Sequence, residues 1–102
     1  MNLVDSSGWL EYFANSQNSD FFAPAIKDTE RLIVSTINLY EVFKKILQQR
    51  DENSAFQAIA LMQQGKVVDV DSSISLVSAK QSIDLKLPMA DSIILATGIL
   101  YN

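Results

Sequence analysis

Three carboxylates stand where secondary-structure elements are expected to begin or end, positions that can bind a cation or a substrate. Asp5 follows the apolar run 1–4 and precedes Ser-Ser-Gly, so a strand ends and a helix begins there, while Glu41 and Asp91 lie in mostly apolar helical stretches. In open α/β sheets, ligands bind beyond the carboxyl ends of the strands. If the strands are parallel and adjacent, the three acids converge, and like charges that converge repel unless a divalent ion neutralises them. The pattern indicates a metal site.

Each acid taken singly also has a structural explanation. Asp5 could be a plain helix N-cap. Glu41 follows Asn38 by three residues, so it could complete a capping box with Asn38 as the N-cap. Asp91 in a first helical turn gains ~0.3–1 kcal/mol from the helix dipole. Desolvating an unpaired carboxylate costs several kcal/mol, so an acid buried among apolar neighbours would need a cation, a partner or an opening to water.

The composition limits the chemistry of such a site. The chain has 102 residues, which is one domain spanning 1–102, and contains neither cysteine nor histidine. Any metal must therefore be held by oxygen, which selects a hard cation such as Mg²⁺ or Mn²⁺. The net charge of −4 argues against a broadly basic nucleic-acid surface. Lys44, Lys45 and Arg50 could still contact phosphates, or could form a solvated face.

Apolar periodicity predicts an α/β fold in which helices wrap a parallel sheet. The predicted strands are 3–4, 31–34 and 67–70. Helices are expected over Trp9 to Phe13, after Asp20 as N-cap, from Asn38 to about Arg50, from 54 to Gln64, after Asp71 as N-cap, and from Met89 to about Leu100. The helices on either side of residues 51–53 should form a hairpin, and the last helix, apolar on nearly every side, should lie deep in the fold. The start of the chain has no basic leader and no apolar run approaches the ~20 residues that span a bilayer, so we expect a cytoplasmic protein without membrane contact.

Three segments resemble the acidic motifs of PIN-domain ribonucleases, specifically the VapC-type toxins of toxin–antitoxin pairs. Residues 2–7 (NLVDSS) are similar to the first motif, 39–42 (LYEV) to the second and 87–97 (LPMADSIILAT) to the third. The resemblance extends over essentially the whole chain. It implies an endoribonuclease that depends on Mg²⁺ or Mn²⁺, with Asp5, Glu41 and Asp91 as catalytic metal ligands and Ser6 as a supporting hydroxyl next to Asp5. It also implies an RNA substrate and an antitoxin partner.

The sequence departs from the family after the third motif. Family members continue into a further strand, a Thr-x-Asp motif and a last strand, whereas residues 92–102 contain no fourth acid. The resemblance then implies a three-stranded sheet that lacks the last strands and leaves Leu3 and Val4 on an open apolar edge. We expect weak metal binding, poor or no cleavage, and self-association into a homo-oligomer. An antitoxin helix could dock on Trp9, Tyr12 and Phe13, although these aromatics could simply be core.

Two other functional classes compete with the nuclease. A non-catalytic module that binds an antitoxin or self-associates would need only the surface, without cleavage. A phosphoacceptor or phosphatase domain would require a second Asp beside Asp5 or an Asp-x-Asp pair at the strand end, and the sequence Asp-Ser-Ser offers neither.

Overall fold

The chain forms a three-stranded parallel sheet and six helices in a computed structural model that describes residues 1–101. In chain order the elements are β1 (Asn2–Leu3), α1 (Ser6–Phe13), α2 (Ser19–Lys27), β2 (Leu32–Ser35), α3 (Thr36–Gln49), α4 (Glu52–Met62), β3 (Lys66–Val68), α5 (Ser72–Leu85) and α6 (Met89–Tyr101). The α/β class, the parallel sheet and the α3–α4 hairpin agree with the sequence prediction.

The strand order β1-β2-β3 places β2 in the centre of the sheet. Leu3 pairs with Ile33 on one side, and Ser35 pairs with Val68 on the other. All four residues of β2 are buried, as expected for a branched apolar run in the middle of a parallel sheet. Because the strands are parallel, their carboxyl ends lie at the same end of the sheet. Within residues 1–101 the outer side of β1 has no strand partner, so β1 is the predicted edge strand.

Alternation along β2 divides the hydrophobic core between the two faces of the sheet. Leu32 and Val34 face a cluster that also includes Trp9, Val42 and Met62, contributed by α1, α3 and α4. Ile33 faces the other cluster, which contains Val68 and residues of α5 and α6, namely Ile74, Ile93 and Ala96. Helices therefore cover both faces of the sheet.

Several predicted helix starts were wrong, among them those of α3 and α2. The helix expected to begin at Asn38 begins at Thr36, because Ser35 is its N-cap: the Ser35 hydroxyl accepts from the Ile37 N–H, and the Asn38 side chain accepts from the Ser35 N–H. Glu41 is therefore not part of the capping box. The N-cap of α2 is Asn18 rather than Asp20, which lies in the first turn.

Helix α6 is less buried than predicted. It packs against α5, yet Met89 is 69% exposed, Ile99 53% and Leu100 45%. Between β1 and α6 lies an apolar groove of about 670 Å³, which we call the β1–α6 groove. Its lining is formed by Met1, Leu3, Asp5, Ile33, Leu87, Asp91, Ile94, Leu95, Gly98 and Ile99. The position of α6 next to an edge strand explains the exposure of Ile99, since no further strand within residues 1–101 covers that side.

The helices are all too short or too polar for a transbilayer segment within the part of the chain that the structure describes.

Candidate metal site

Asp5 lies between β1 and α1 and caps the helix. Its Oδ1 accepts a hydrogen bond from the Gly8 N–H at 2.7 Å and another from the Ser7 hydroxyl at 3.1 Å. The N-cap interpretation of Asp5 is thus correct as local structure. Both bonds go to the same oxygen, and the side chain is exposed, so the other oxygen remains accessible to a ligand.

Glu41 is held by a residue far away in the sequence. The Ser6 hydroxyl donates to Glu41 Oε1 at 2.5 Å, and Ser6 Oγ accepts from Asn38 Nδ2 at 3.0 Å. Ser6 was expected to be a supporting hydroxyl next to Asp5, and in the structure its hydroxyl bonds to Glu41. Ser6 is the first residue of α1, which packs against α3.

Asp91 lies in the first turn of α6 and is exposed. The sequence argument treated it as an acid buried among apolar residues whose desolvation had to be offset. That argument allowed a cation, a partner or an opening to water, and the structure shows the opening to water, so the burial argument gives no separate support for a cation at Asp91. What the structure shows is the position of Asp91 at two concave surfaces, the β1–α6 groove and a smaller pocket.

The smaller pocket brings the three predicted acids together. It has a volume of about 300 Å³, and we call it the acidic pocket; its lining is formed by Asp5, Ser6, Ser7, Leu10, Glu41, Lys45 and Asp91. The three elements that carry the acids meet here because β1 and β2 are adjacent and parallel, and α6 packs near α3. Within residues 1–101, however, no set of three carboxylates is grouped tightly enough to hold a metal ion.

Of the three cations proposed to contact phosphates, only Lys45 lines the acidic pocket. Lys44 points its ammonium over the Tyr40 ring, 5.6 Å from the centroid. Arg50 borders a separate pocket on the α3–α4 side, with Phe13 and Ser54. One positive charge thus stands beside the acids, where it could bind a phosphate.

The aromatic surface expected to receive an antitoxin is largely core. Trp9 is 0% exposed, and its ring stacks on Phe13 with the centroids 5.7 Å apart. Tyr12 and Phe13 are only half-buried, but both pack against the same core. A partner cannot reach Trp9 in this fold, so the alternative interpretation as core is correct for Trp9, whereas Tyr12 and Phe13 remain partly exposed.

Asn38 was missed as a site residue, although it had been named as a cap. It is fully buried and connects the start of α3 to Ser6 and, through Ser6, to Glu41. Because its partner Ser6 is 32 residues away in the sequence, no local signal could have identified this role of Asn38.

Comparisons with known proteins identify the fold. The family model described as PIN domain matches residues 3–102. Among solved structures, the chain is similar to one described as a toxin–antitoxin complex from Klebsiella pneumoniae, with a TM-score of 0.80 and 20% identity over 99% of this chain and 80% of that one. No curated protein matches. With nearly every residue covered by the family model, the chain belongs to the PIN-domain family.

Proposed function

We propose that this chain is a VapC-type toxin, an endoribonuclease that depends on Mg²⁺ or Mn²⁺ and uses Asp5, Glu41 and Asp91 as metal ligands. Membership of the PIN-domain family supports a nuclease, and the description of the structural neighbour as a toxin–antitoxin complex supports a toxin. The observation that carries the proposal is the acidic pocket, where residues 5, 41 and 91 meet beside Lys45.

The donor set of the pocket suits a hard divalent cation, because every candidate ligand is a carboxylate or hydroxyl oxygen. The acids are not grouped as a complete site within residues 1–101. Mg²⁺ commonly keeps several waters and binds through one or two carboxylates together with substrate phosphates. The pocket fits an ion of this kind, which would be held jointly by the protein and the RNA.

The residues of the pocket have separable roles in this proposal. When bound, the ion would polarise the scissile phosphate, lower the pKa of the attacking water and stabilise the leaving oxygen. Asp5 and Glu41 each present one oxygen while the other is engaged by a hydrogen-bond donor. Lys45 would bind an RNA phosphate and offset the repulsion between the acids and the RNA backbone.

Metal binding and cleavage should both be weak in the 102-residue chain. Three acids that are not closely grouped within residues 1–101 must be drawn together before they can ligate one ion, and the repulsion between them opposes this step. We expect saturable but low-affinity Mn²⁺ binding and slow, metal-dependent cleavage of RNA.

Asp91→Asn tests the proposal, with Asp84→Asn as the matched control. Asp84 is an exposed acid on α5 that lines neither the acidic pocket nor the β1–α6 groove. Asp91→Asn should weaken Mn²⁺ binding by about 10-fold or more and abolish cleavage of a structured RNA, because it removes a ligand charge. Asp84→Asn should change neither. Equal behaviour of the two variants would contradict the proposed site.

The β1–α6 groove supports a second candidate, a non-catalytic module that acts by binding. An open edge strand next to an exposed apolar helix is a surface that pairs readily with another chain. We propose that the protein self-associates through this groove. Whether it acts as a nuclease or as a binding module, we propose that it has an antitoxin partner and works in the cytoplasm, where RNA is present.

Sedimentation at micromolar concentration tests self-association. The protein should sediment above its monomer mass of 11.3 kDa. Ile99→Asp, in the groove, should shift it to the monomer, whereas Leu76→Asp, an exposed apolar position on α5 outside the groove, should not. A wild-type protein that sediments only as an 11.3 kDa species would refute the assembly.

A further inference from the structure

A buried chain of hydrogen bonds connects the end of β2 to the acidic pocket. The Ser35 N–H donates to Asn38 Oδ1 at 3.0 Å, Asn38 Nδ2 donates to Ser6 Oγ at 3.0 Å, and Ser6 Oγ donates to Glu41 Oε1 at 2.5 Å. Ser35 and Asn38 are completely buried, and Ser6 is 9% exposed. Leaving a polar group unbonded at this depth costs free energy, so these hydrogen bonds should be maintained in the folded protein.

The Ser35 N–H determines which group donates and which accepts in every hydrogen bond of this series. A backbone N–H can only donate, so the Asn38 oxygen must face Ser35 and the Asn38 amide nitrogen must face Ser6. The Ser6 oxygen therefore accepts from Asn38, and its single proton is directed to Glu41. The last bond of the series is the short one from the Ser6 hydroxyl to Glu41 Oε1.

We propose that Asn38 and Ser6 are positioning residues for the metal ligand Glu41. They hold Oε1 by a bond whose direction is fixed, so that Oε2 can bind the ion. This inference rests on the proposed function, because it assigns a supporting set to one of the proposed ligands. Residues that orient a metal ligand in this way typically account for about 10- to 100-fold in metal affinity.

Capping of α3 is a competing explanation for the buried hydrogen bonds of Asn38, and a substitution of Ser6 distinguishes it from the positioning role. The cap consists of Ser35 and Asn38, and both of its bonds are made without Ser6. Ser6→Ala therefore keeps the cap and removes the two bonds of the Ser6 hydroxyl, the one it donates to Glu41 and the one it accepts from Asn38. Ser78→Ala is the matched control, since Ser78 is a buried helical serine, 5% exposed, whose hydroxyl bonds to the Ser75 carbonyl.

Two measurements test the positioning role. Mn²⁺ affinity, measured by electron paramagnetic resonance, should fall about 10-fold in Ser6→Ala, be unchanged in Ser78→Ala, and recover in Ser6→Thr, which restores a hydroxyl. In the metal-free protein, carbon relaxation of the Glu41 side chain should show greater motion in Ser6→Ala than in the control.

Asn38→Asp provides a second variant with nearly the same shape. An ionised aspartate at this position can still accept from the Ser35 N–H but cannot donate, so the Ser6 proton turns toward residue 38 and Glu41 loses its donor. Mn²⁺ affinity should fall at least as far as in Ser6→Ala.

The outcomes distinguish this inference from the proposed function. If Ser6→Ala matches Ser78→Ala in both measurements while Asp91→Asn weakens Mn²⁺ binding, the positioning role is overturned and the metal site stands. If Mn²⁺ does not bind saturably, or Asp91→Asn leaves its binding unchanged, the proposed function fails and the inference fails with it.

Discussion

Replacing Gly8 by Ala should destabilise the protein, although the same change usually stabilises a helix. Gly8 is the third residue of α1, directly beside the Asp5 cap. In an open helical position, Ala is favoured over Gly by ~0.5–1 kcal/mol. At Gly8, however, a Cβ would lie 2.8 Å from Phe22 Cε1, 2.8 Å from Val4 Cγ1 and 3.0 Å from Asp5 Oδ1. Two of these contacts are closer than packed atoms tolerate, and the third involves the capping oxygen itself.

The size of the effect follows from opposing contributions. Forcing an extra carbon into a packed site costs about 1–3 kcal/mol, and helix propensity returns ~0.5–1 kcal/mol of that. Displacing Asp5 adds up to ~1 kcal/mol through loss of the cap. We therefore expect a net loss of about 1–2 kcal/mol in the free energy of unfolding, which corresponds to a Tm lower by roughly 4–16 °C for a domain of this size.

Gly98→Ala is the matched control for urea denaturation followed by circular dichroism. Gly98 also lies inside a helix, but its added Cβ would meet only Leu3 Cδ2, at 3.3 Å, the flexible end of a side chain. That variant should be neutral or more stable by up to ~1 kcal/mol. A denaturation midpoint for Gly8→Ala at or above that of wild type, with an unchanged m-value, would refute the packing argument.

Substitutions at three further positions have defined outcomes. Asp5→Asn keeps an oxygen that can cap α1, so it should weaken Mn²⁺ binding while changing the free energy of unfolding by less than ~0.5 kcal/mol. Asp5→Ala should weaken Mn²⁺ binding and also lower the free energy of unfolding by ~1 kcal/mol in urea denaturation. Equal stability of the two variants would contradict the capping role. The Ser54 backbone N–H, and next the Ser54 hydroxyl, lower the pKa of Asp51 from its ordinary value of 3.8. Since the pKa of Asp51 is lower in the folded state than in the unfolded state, these hydrogen bonds stabilise the fold above pH 3.8, and the stabilisation disappears as pH falls through the depressed pKa. Asp51→Asn should therefore flatten the acid side of a plot of urea midpoint against pH. Lys86 ends α5 in the left-handed region at φ 55°, and Lys86→Gly should raise the thermal midpoint by the equivalent of ~1 kcal/mol; no change would argue against strain there.

The identity of the strands and their parallel pairing could be predicted because both follow from local patterns. The branched run around Ile33 has few alternatives to a buried strand, and alternating strands and helices require parallel pairing. The convergence of Asp5, Glu41 and Asp91 followed from that topology. Distances between their side chains did not, because they depend on how far each helix turns after its strand ends.

The start of α3 shows why local patterns can mislead. Ser35 with Asn38, and Asn38 with Glu41, both have the three-residue spacing of a capping box. The first pair forms it, and Asn38 also donates to Ser6, which is 32 residues away in the sequence. A contact of that range has no local signature, so neither the true cap nor the support of Glu41 could be read from this segment.

Helix α6 shows a different limit of sequence reasoning. Its uniform apolarity predicted burial, yet Met89 and Ile99 are more than half exposed within the fold. An apolar sequence indicates that burial of the helix surface is favourable, but it does not specify whether the same chain or another chain buries it.

The burial of Trp9 makes its intrinsic fluorescence a probe of the fold. It is the single tryptophan of the chain, and its indole lies at zero exposure with no hydrogen-bond partner for its nitrogen among residues 1–101. Its fluorescence should therefore be blue-shifted and protected from iodide quenching in the native state. Because Trp9 lies on the helix that begins at Ser6, a red shift would reveal detachment of that helix from the sheet even where the total helical signal had barely changed.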